Sequence, residues 1–114
     1  MARTAKCRRV CAEPQTRWFR PECPTQQVQT LSVEELEALR LCDLEGLEQE
    51  EAARMMEVSR GTFQRILYAA RQKAASALVN GMSILIEGGH YKVNPHCRAC
   101  GRVCRHCKQG DVEK

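Results

Sequence analysis

One amphipathic segment near the middle of the chain constrains the fold more than any other feature. Ser59 is a good helix N-cap, and Asn80-Gly81 is a typical helix stop. Between them, apolar residues recur with the 3.6-residue period of a helix. They are Phe63, Ile66, Leu67, Ala70, Ala74, Ala77 and Leu78. The pattern predicts one long helix that buries a single face and carries arginines and a lysine on the other.

Two shorter segments before it also predict helices. Ser32 followed by Glu35 is a capping-box pattern, and Gly46 marks the expected end of that first helix. Its inward positions are Leu36, Leu39, Leu44 and Leu47. A second helix fits residues 49–57, where small alanines let a neighbouring helix approach closely. The sequence therefore predicts a three-helix core within residues 31–81.

A short helix, a tight turn and a cationic helix form a helix-turn-helix pattern. The start of the second helix of such a motif enters the DNA major groove, where Ser, Thr, Gln and Arg bind base edges or phosphates. The candidate DNA contacts are Ser59, Arg60, Gly61, Thr62, Gln64, Arg65 and Arg71. Thr62 and Gln64 suit bases, the arginines suit bases or phosphates, and Gly61 permits close approach. The alternative is an ordinary three-helix bundle with a basic face.

The distribution of charge favours the DNA interpretation. The net charge of +4 is the sum of four unequal segments: +4 in residues 1–30, −7 in 31–58, +4 in 59–92 and +3 in 93–114. Segregation of this kind predicts a surface with one positive side, as expected of a protein that binds nucleic acid. Solvated helix faces of differing charge are the alternative explanation.

The first 30 residues form a basic N-terminal arm that can follow phosphates or enter a minor groove. Trp18 and Phe19 are expected to dock this arm on the helices, because the chain has few other aromatic residues for its core. After the helices, residues 82–93 predict a β-hairpin with Gly88-Gly89 as its two-residue turn. The hairpin would pair Ile86 with Tyr91.

Eight cysteines are many for 114 residues, and four of them fall within a basic tail, residues 94–114. These four form two CxxC pairs, Cys97/Cys100 and Cys104/Cys107. Two such pairs can complete a tetrahedral site, so they predict a zinc knuckle, with an iron–sulfur cluster as the alternative and metal-free redox thiols third. Cys42 is expected in the core. The roles of Cys7, Cys11, Cys23, His96 and His106, as metal ligands or otherwise, stay open.

The segment Leu31 to Gly81, together with RRVCAEPQTRWFRPECP before it and IEGG after it, resembles an uncharacterised prokaryotic family of predicted DNA-binding proteins. The helix-turn-helix of that family is similar to region 4 of bacterial sigma factors. The best signature is EALRL-x-D-x-EGL, Glu37 to Leu47, and the resemblance covers roughly residues 3–90. Two residues depart from the pattern. Glu48 stands where the family tends to have a capping Ser or Thr, and Glu57 where it commonly has a Gly in the turn.

Together these features predict a mainly α protein with a helix-turn-helix core, a short hairpin and a metal knuckle. We expect a sequence-specific DNA-binding protein that regulates transcription. The alternatives are a redox- or metal-responsive regulator and an interaction module of the transcription machinery. Double-stranded DNA is the expected partner, with a second copy of the chain and RNA polymerase as further candidates. Because the sequence carries no signal-peptide pattern, membrane span or catalytic motif, we expect a cytoplasmic protein that is not an enzyme.

Overall fold

The computed structural model describes residues 7–23 and 25–94. In this part of the chain, three helices are combined with five short strands. The helices are α1 (Val33–Leu39), which continues into a π-helical turn (Arg40–Leu44), α2 (Gln49–Met56) and α3 (Arg60–Asn80). The strands are β1 (Arg8–Val10), β2 (Trp18–Phe19), β3 (Val28–Leu31), β4 (Ser83–Ile86) and β5 (Tyr91–Val93).

α1 and α3 begin at the capping residues that the sequence predicts, and α3 also ends at its predicted glycine. The Ser32 hydroxyl accepts from the Glu35 backbone N–H at 3.1 Å, and the Glu35 carboxylate accepts from the Ser32 N–H at 3.0 Å, so the capping box is confirmed. The Ser59 hydroxyl caps α3 by accepting from the Thr62 N–H. Gly81 ends α3 with a φ of 65°, a conformation that favours glycine.

The strands make two sheets that join the two ends of the described chain. In the three-stranded sheet, ordered β2-β4-β3, β3 runs parallel to β4 from Val28↔Ser83 to Leu31↔Ile86, while β2 is antiparallel to β4. In the second sheet β1 pairs with β5 in parallel, with Arg8 opposite Tyr91. Residues 8–31 are thus built into sheets with the segment that follows α3.

The expectation of a mainly α fold with a C-terminal hairpin is wrong. β4 and β5 do not pair with each other, because each pairs with a strand from before α1. The Gly88-Gly89 turn docks on the start of α1, where Gly88 O accepts from the Val33 N–H at 3.1 Å. A Cβ on Gly89, whose φ is 108°, would clash with the Glu34 carboxylate. The knuckle cysteines Cys97, Cys100, Cys104 and Cys107 lie outside the described residues.

The apolar core has two parts. One lies between the three helices and includes Phe63, Leu67 and Met56, and the other joins α1 to the sheets through Val10, Leu31 and Ile86. Cys42 is partly buried against the first part. Two residues expected to face inward do not, since Leu44 and Leu78 are exposed. The burial of α3 ends at Ala77, so the last turn of the helix extends past the core.

A buried ion network fixes α1 against β1. The Arg40 guanidinium donates to both carboxylate oxygens of Glu37, at 2.9 and 2.7 Å, and reaches Glu45 at 3.4 Å. The same Glu37 carboxylate accepts from the Cys11 backbone N–H at 3.2 Å. Glu37, Arg40 and Glu45 all belong to the signature motif of the sequence, so part of that motif serves to hold the fold together.

Candidate nucleic-acid interface

The turn between α2 and α3 consists of Glu57, Val58 and Ser59. The Val58 N–H donates to Ala53 O at 3.0 Å and the Glu57 N–H donates to Arg54 O at 3.1 Å, which is the bond pattern of a Schellman motif. Glu57 holds the left-handed position with a φ of 62°, although that position favours glycine. Lys92 on β5 contacts the Glu57 carboxylate at 3.0 Å, so β5 supports the turn.

The polar residues that open α3 form a chain of hydrogen bonds. The Ser59 hydroxyl donates to Thr62 Oγ1 at 3.0 Å, and Arg65 Nη2 donates to the same oxygen at 3.3 Å. Apart from its chain neighbours and the nearby backbone of α3, no atom of the described residues lies within 4 Å of where a Cβ on Gly61 would be, so the backbone there is open to a ligand. The structure therefore brings together Ser59, Thr62 and Arg65, while Arg60 stands exposed beside them.

Tyr68 extends this surface and was missed in the sequence analysis. Gln64 Nε2 donates to the exposed Tyr68 hydroxyl at 3.2 Å. That bond lowers the pKa of Tyr68, with Gln49 contributing a second hydrogen bond and Arg71 and Arg60 adding positive charge. The signal in the sequence was the i, i+4 spacing of Gln64 and Tyr68 on the polar side of the helical period. Arg54, exposed on α2 just before the turn, was missed as well.

Arg71 differs from the other candidate contacts because a carboxylate already holds it. Its Nε and Nη2 donate to the two oxygens of Asp43 at 3.1 and 2.8 Å. These hydrogen bonds raise the pKa of Arg71. Arg71 also lies eleven residues after Arg60, about 16 Å further along the helix axis. Its charge is therefore largely neutralised within the protein.

Ion pairs account for much of the acidic block. Besides Glu37, Glu45 and Asp43, the acids with cationic partners include Glu34 with Arg8 at 3.4 Å and Glu35 with Lys73 at 3.0 Å. Leaving aside buried Arg9, the lysines and arginines of residues 7–23 and 25–94 that lie outside ion pairs are Arg20, Arg54, Arg60 and Arg65. Three of these four flank the turn between α2 and α3, so the cations that lie outside ion pairs are concentrated there among the described residues.

Two arginines of the N-terminal arm have structural partners. Arg9 is 2% exposed and donates to Met55 O at 3.1 Å and to Asn94 O at 2.8 Å, so it ties β1 to the end of α2. Arg8 lies beside Glu34. Neither side chain is presented to solvent as a phosphate contact would be. Trp18 and Phe19 form β2 on the edge of the sheet and are about half exposed.

No disulfide joins any two of the four described cysteines. Cys11 is buried, Cys42 is partly buried, and Cys7 and Cys23 are exposed. No group of three or more His, Cys, Asp or Glu side chains that could hold a metal ion occurs within the part of the chain that the structure describes. The zinc assignment of Cys97, Cys100, Cys104 and Cys107 stays a prediction from the sequence. Of the helices in the described ranges, none has the length and apolar character to cross a membrane.

Comparisons with known proteins identify the family. Residues 1–94 match the family model described as "Protein of unknown function DUF134". A UPF0251 protein of Caldicellulosiruptor saccharolyticus is 48% identical over 122 residues, which cover 98% of this chain and 88% of that protein. A UPF0251 protein of Thermoanaerobacter pseudethanolicus is 53% identical over 109 residues, covering 93% of this chain and 92% of its own length. No solved structure matches significantly. The chain therefore belongs to the bacterial DUF134 family, whose members also carry the name UPF0251.

Proposed function

We propose that this protein binds double-stranded DNA through α2, the turn and α3, and that it regulates transcription by doing so. The observation that carries the proposal is the placement of Arg54, Arg60 and Arg65, which flank the turn and have no carboxylate partner within the described residues. Cations that lie outside ion pairs are available to neutralise phosphates, and the release of counterions then drives binding. Such a role implies a cytoplasmic location.

The start of α3 supplies the groups that would contact DNA. The exposed backbone at Gly61 allows a phosphate or base edge to come close, and Arg60 and Arg65 supply charge-assisted hydrogen bonds. The Gln64 amide has a free oxygen and a second N–H after it donates to Tyr68. An amide with both groups free can bind adenine on its major-groove edge, so Gln64 is the residue that we assign to base reading.

Charge reversal at single arginines tests the proposal. Arg60→Glu and Arg65→Glu are each expected to lower the affinity for DNA at least about tenfold, since each removes a phosphate contact and adds repulsion. Arg20→Glu is the matched control because Arg20 is exposed, lies outside ion pairs and directly follows β2 rather than the turn. Fluorescence anisotropy with duplexes selected from a random pool gives the affinities. Equal losses in all three variants would indicate a net-charge effect and would overturn the assigned interface.

The same measurements separate the alternatives. A protein-interaction module of the transcription machinery would capture RNA polymerase without binding DNA, and its binding would be insensitive to Arg60→Glu. A redox- or metal-responsive regulator would change its DNA affinity on oxidation or chelation of the full chain. DNA binding by α3 is the function that we propose, because Arg54, Arg60 and Arg65 flank the turn outside ion pairs among the described residues.

A further inference from the structure

Two segments that meet near the C-terminal end of α3 contain no charged residue. No Asp, Glu, Lys or Arg occurs in residues 25–33 or 74–86, although charged residues make up 28% of the chain. The pairing of β3 with β4 brings these two segments side by side, with Val28 opposite Ser83. We name this region, residues 25–33 and 74–86, the uncharged surface.

Large apolar side chains project from the uncharged surface into solvent. Leu78 is 78% exposed and Val79 is 82% exposed, the highest values among the large hydrophobic residues in the described ranges. Val28 on β3 is 41% exposed at the same end. Adjacent exposed apolar residues on a helix end, with no charged neighbours in sequence, are the composition of an interface centre rather than of a solvated surface.

The strand on this side, β3, lies at the edge of its sheet and next to α3. β3 has a strand neighbour only on its β4 side, and Val28 and Thr30 are exposed on it. In proteins that stay monomeric, edge strands usually carry lysine, proline or an inward-pointing charged side chain. β3 carries none of these. Its sequence permits pairing with another edge strand.

We propose that the uncharged surface binds a second copy of this chain. In a two-fold dimer the same surface meets itself, so any charge on it would face an identical charge, and a surface without charge avoids that repulsion. Seven residues of the first segment and ten of the second are at least partly exposed, which is of the same order as the roughly 20 residues that each partner contributes to a standard interface.

The C-terminal tail of the chain is a poor occupant of the uncharged surface. Residues 95–114 carry five basic and two acidic side chains, and such a segment would leave charges against an apolar surface. The chain also leaves the described structure at Asn94, which is held at Val10 O beside the strand that supports the α2–α3 turn. That position is close to the α2–α3 turn, whereas Leu78 and Val79 lie at the C-terminal end of α3.

A dimer of this kind suits the proposed DNA binding. The experiment that tests for the dimer does not depend on DNA binding. α3 spans about 30 Å, so two copies joined near their C-terminal ends can hold their N-terminal ends roughly 34 Å apart, one turn of DNA. Both starts of α3 would then reach successive major grooves. The expected DNA site consists of two half-sites related by two-fold symmetry.

Analytical ultracentrifugation of the full chain, without DNA and in reductant, tests the proposal. The wild type, with a chain mass of 12.9 kDa, is expected to sediment as a dimer at micromolar concentration. The double variant Leu78→Lys, Val79→Lys is expected to sediment as a monomer, with a dissociation constant raised at least about tenfold. Lysines suit the last turn of a helix, so this variant keeps a stable α3, which circular dichroism checks.

Leu44→Lys is the matched control, because Leu44 is also an exposed leucine but lies outside the uncharged surface. It is expected to remain a dimer. A wild type that is monomeric at 100 μM would overturn the proposal, and so would a double variant that remains as dimeric as the wild type. Because no DNA is present, either result leaves the proposed DNA binding standing.

Discussion

Asp43 on the π-helical turn receives both forked donors of Arg71 on α3, at 3.1 and 2.8 Å. The ion pair connects the end of the first helix to the third helix. It engages Arg71, which the sequence analysis predicted to be a DNA contact. Asp43 belongs to the signature motif, as do Glu37, Arg40 and Glu45 of the buried network. The motif therefore includes one pair on the surface and one network in the core.

Replacing Asp43 measures two effects of its ion pair with Arg71, one on stability and one on the affinity for DNA. Asp43→Asn is expected to lower the free energy of unfolding by less than about 1 kcal/mol, because the ion pair is exposed to solvent. It also frees Arg71 and removes a negative charge from the α3 surface, so DNA affinity should rise severalfold at low salt. Urea unfolding and fluorescence anisotropy measure the two effects. A fall in affinity with unchanged stability would mean that Asp43 itself contributes to binding.

Glu37 is expected to matter far more for stability. Glu37→Ala leaves the buried Arg40 without its bidentate partner and removes the acceptor of the Cys11 N–H. Breaking a buried pair from one side costs about 3–5 kcal/mol, so the variant should be strongly destabilised in urea or fail to fold. The control is Glu13→Ala, which removes an exposed pair with Arg17 and an exposed hydrogen bond from Tyr91 and should cost only about 1 kcal/mol. Equal effects would contradict the assigned network.

Glu57 is a position where glycine should be better. Glu57→Gly removes a Cβ from a residue with a φ of 62° and should stabilise the protein by about 1 kcal/mol, a rise in melting temperature of about 4–8 °C. Glu57→Ala is the control, since alanine retains the Cβ but loses the contact with Lys92, and it should be slightly destabilising. Thermal unfolding followed by circular dichroism gives the melting temperatures of both variants. Equal melting temperatures for the two variants would show that the left-handed position carries no strain.

The four described thiols should react at different rates. Cys7 and Cys23 are exposed and should be alkylated first by iodoacetamide. Burial, with a further contribution from neighbouring Asp43, raises the pKa of Cys42, so less reactive thiolate is present and alkylation should be slower. Cys11 is buried and should react only on unfolding. Peptide mass spectrometry over time, at pH 8 in the native state, gives the order. Rapid modification of Cys11 would contradict its place in the core.

The sequence predicts the helices well because their determinants are local. Ser59 caps α3 three residues from its partner, and the apolar period continues within a single helix. The sheets escape such reasoning because their partners are far apart. Arg8 pairs with Tyr91 and Leu31 with Ile86, and nothing within either short strand specifies the other. The Gly88-Gly89 turn has the residues of a hairpin, yet it docks on α1 through Gly88 O.

The candidate interface follows the same division. The start of α3 could be located in the sequence from its N-cap and its arginines. Whether each arginine or lysine is held in an ion pair, however, depends on contacts between residues that are far apart in the sequence. In the sequence, Arg9 and Arg71 have the pattern of surface cations. In the structure, Arg9 donates to backbone carbonyls and Arg71 donates to Asp43. Tyr68 belongs to the candidate interface because Gln64 donates a hydrogen bond to its hydroxyl. Only the three-dimensional structure distinguishes the arginines at the turn from those held within the protein.

The salt dependence of DNA binding tests the central claim most directly. Anisotropy titrations between 50 and 200 mM NaCl should give a negative slope of log affinity against log salt for the wild type. The variant Arg60→Gln, Arg65→Gln should show a slope smaller in magnitude by about 2 for each α3 that contacts the duplex, because each lost phosphate contact removes about 0.9 from the slope. Arg20→Gln should retain the wild-type slope. If the wild type binds no duplex DNA, or if the double variant retains the wild-type slope, the arginines at the turn do not form a DNA interface.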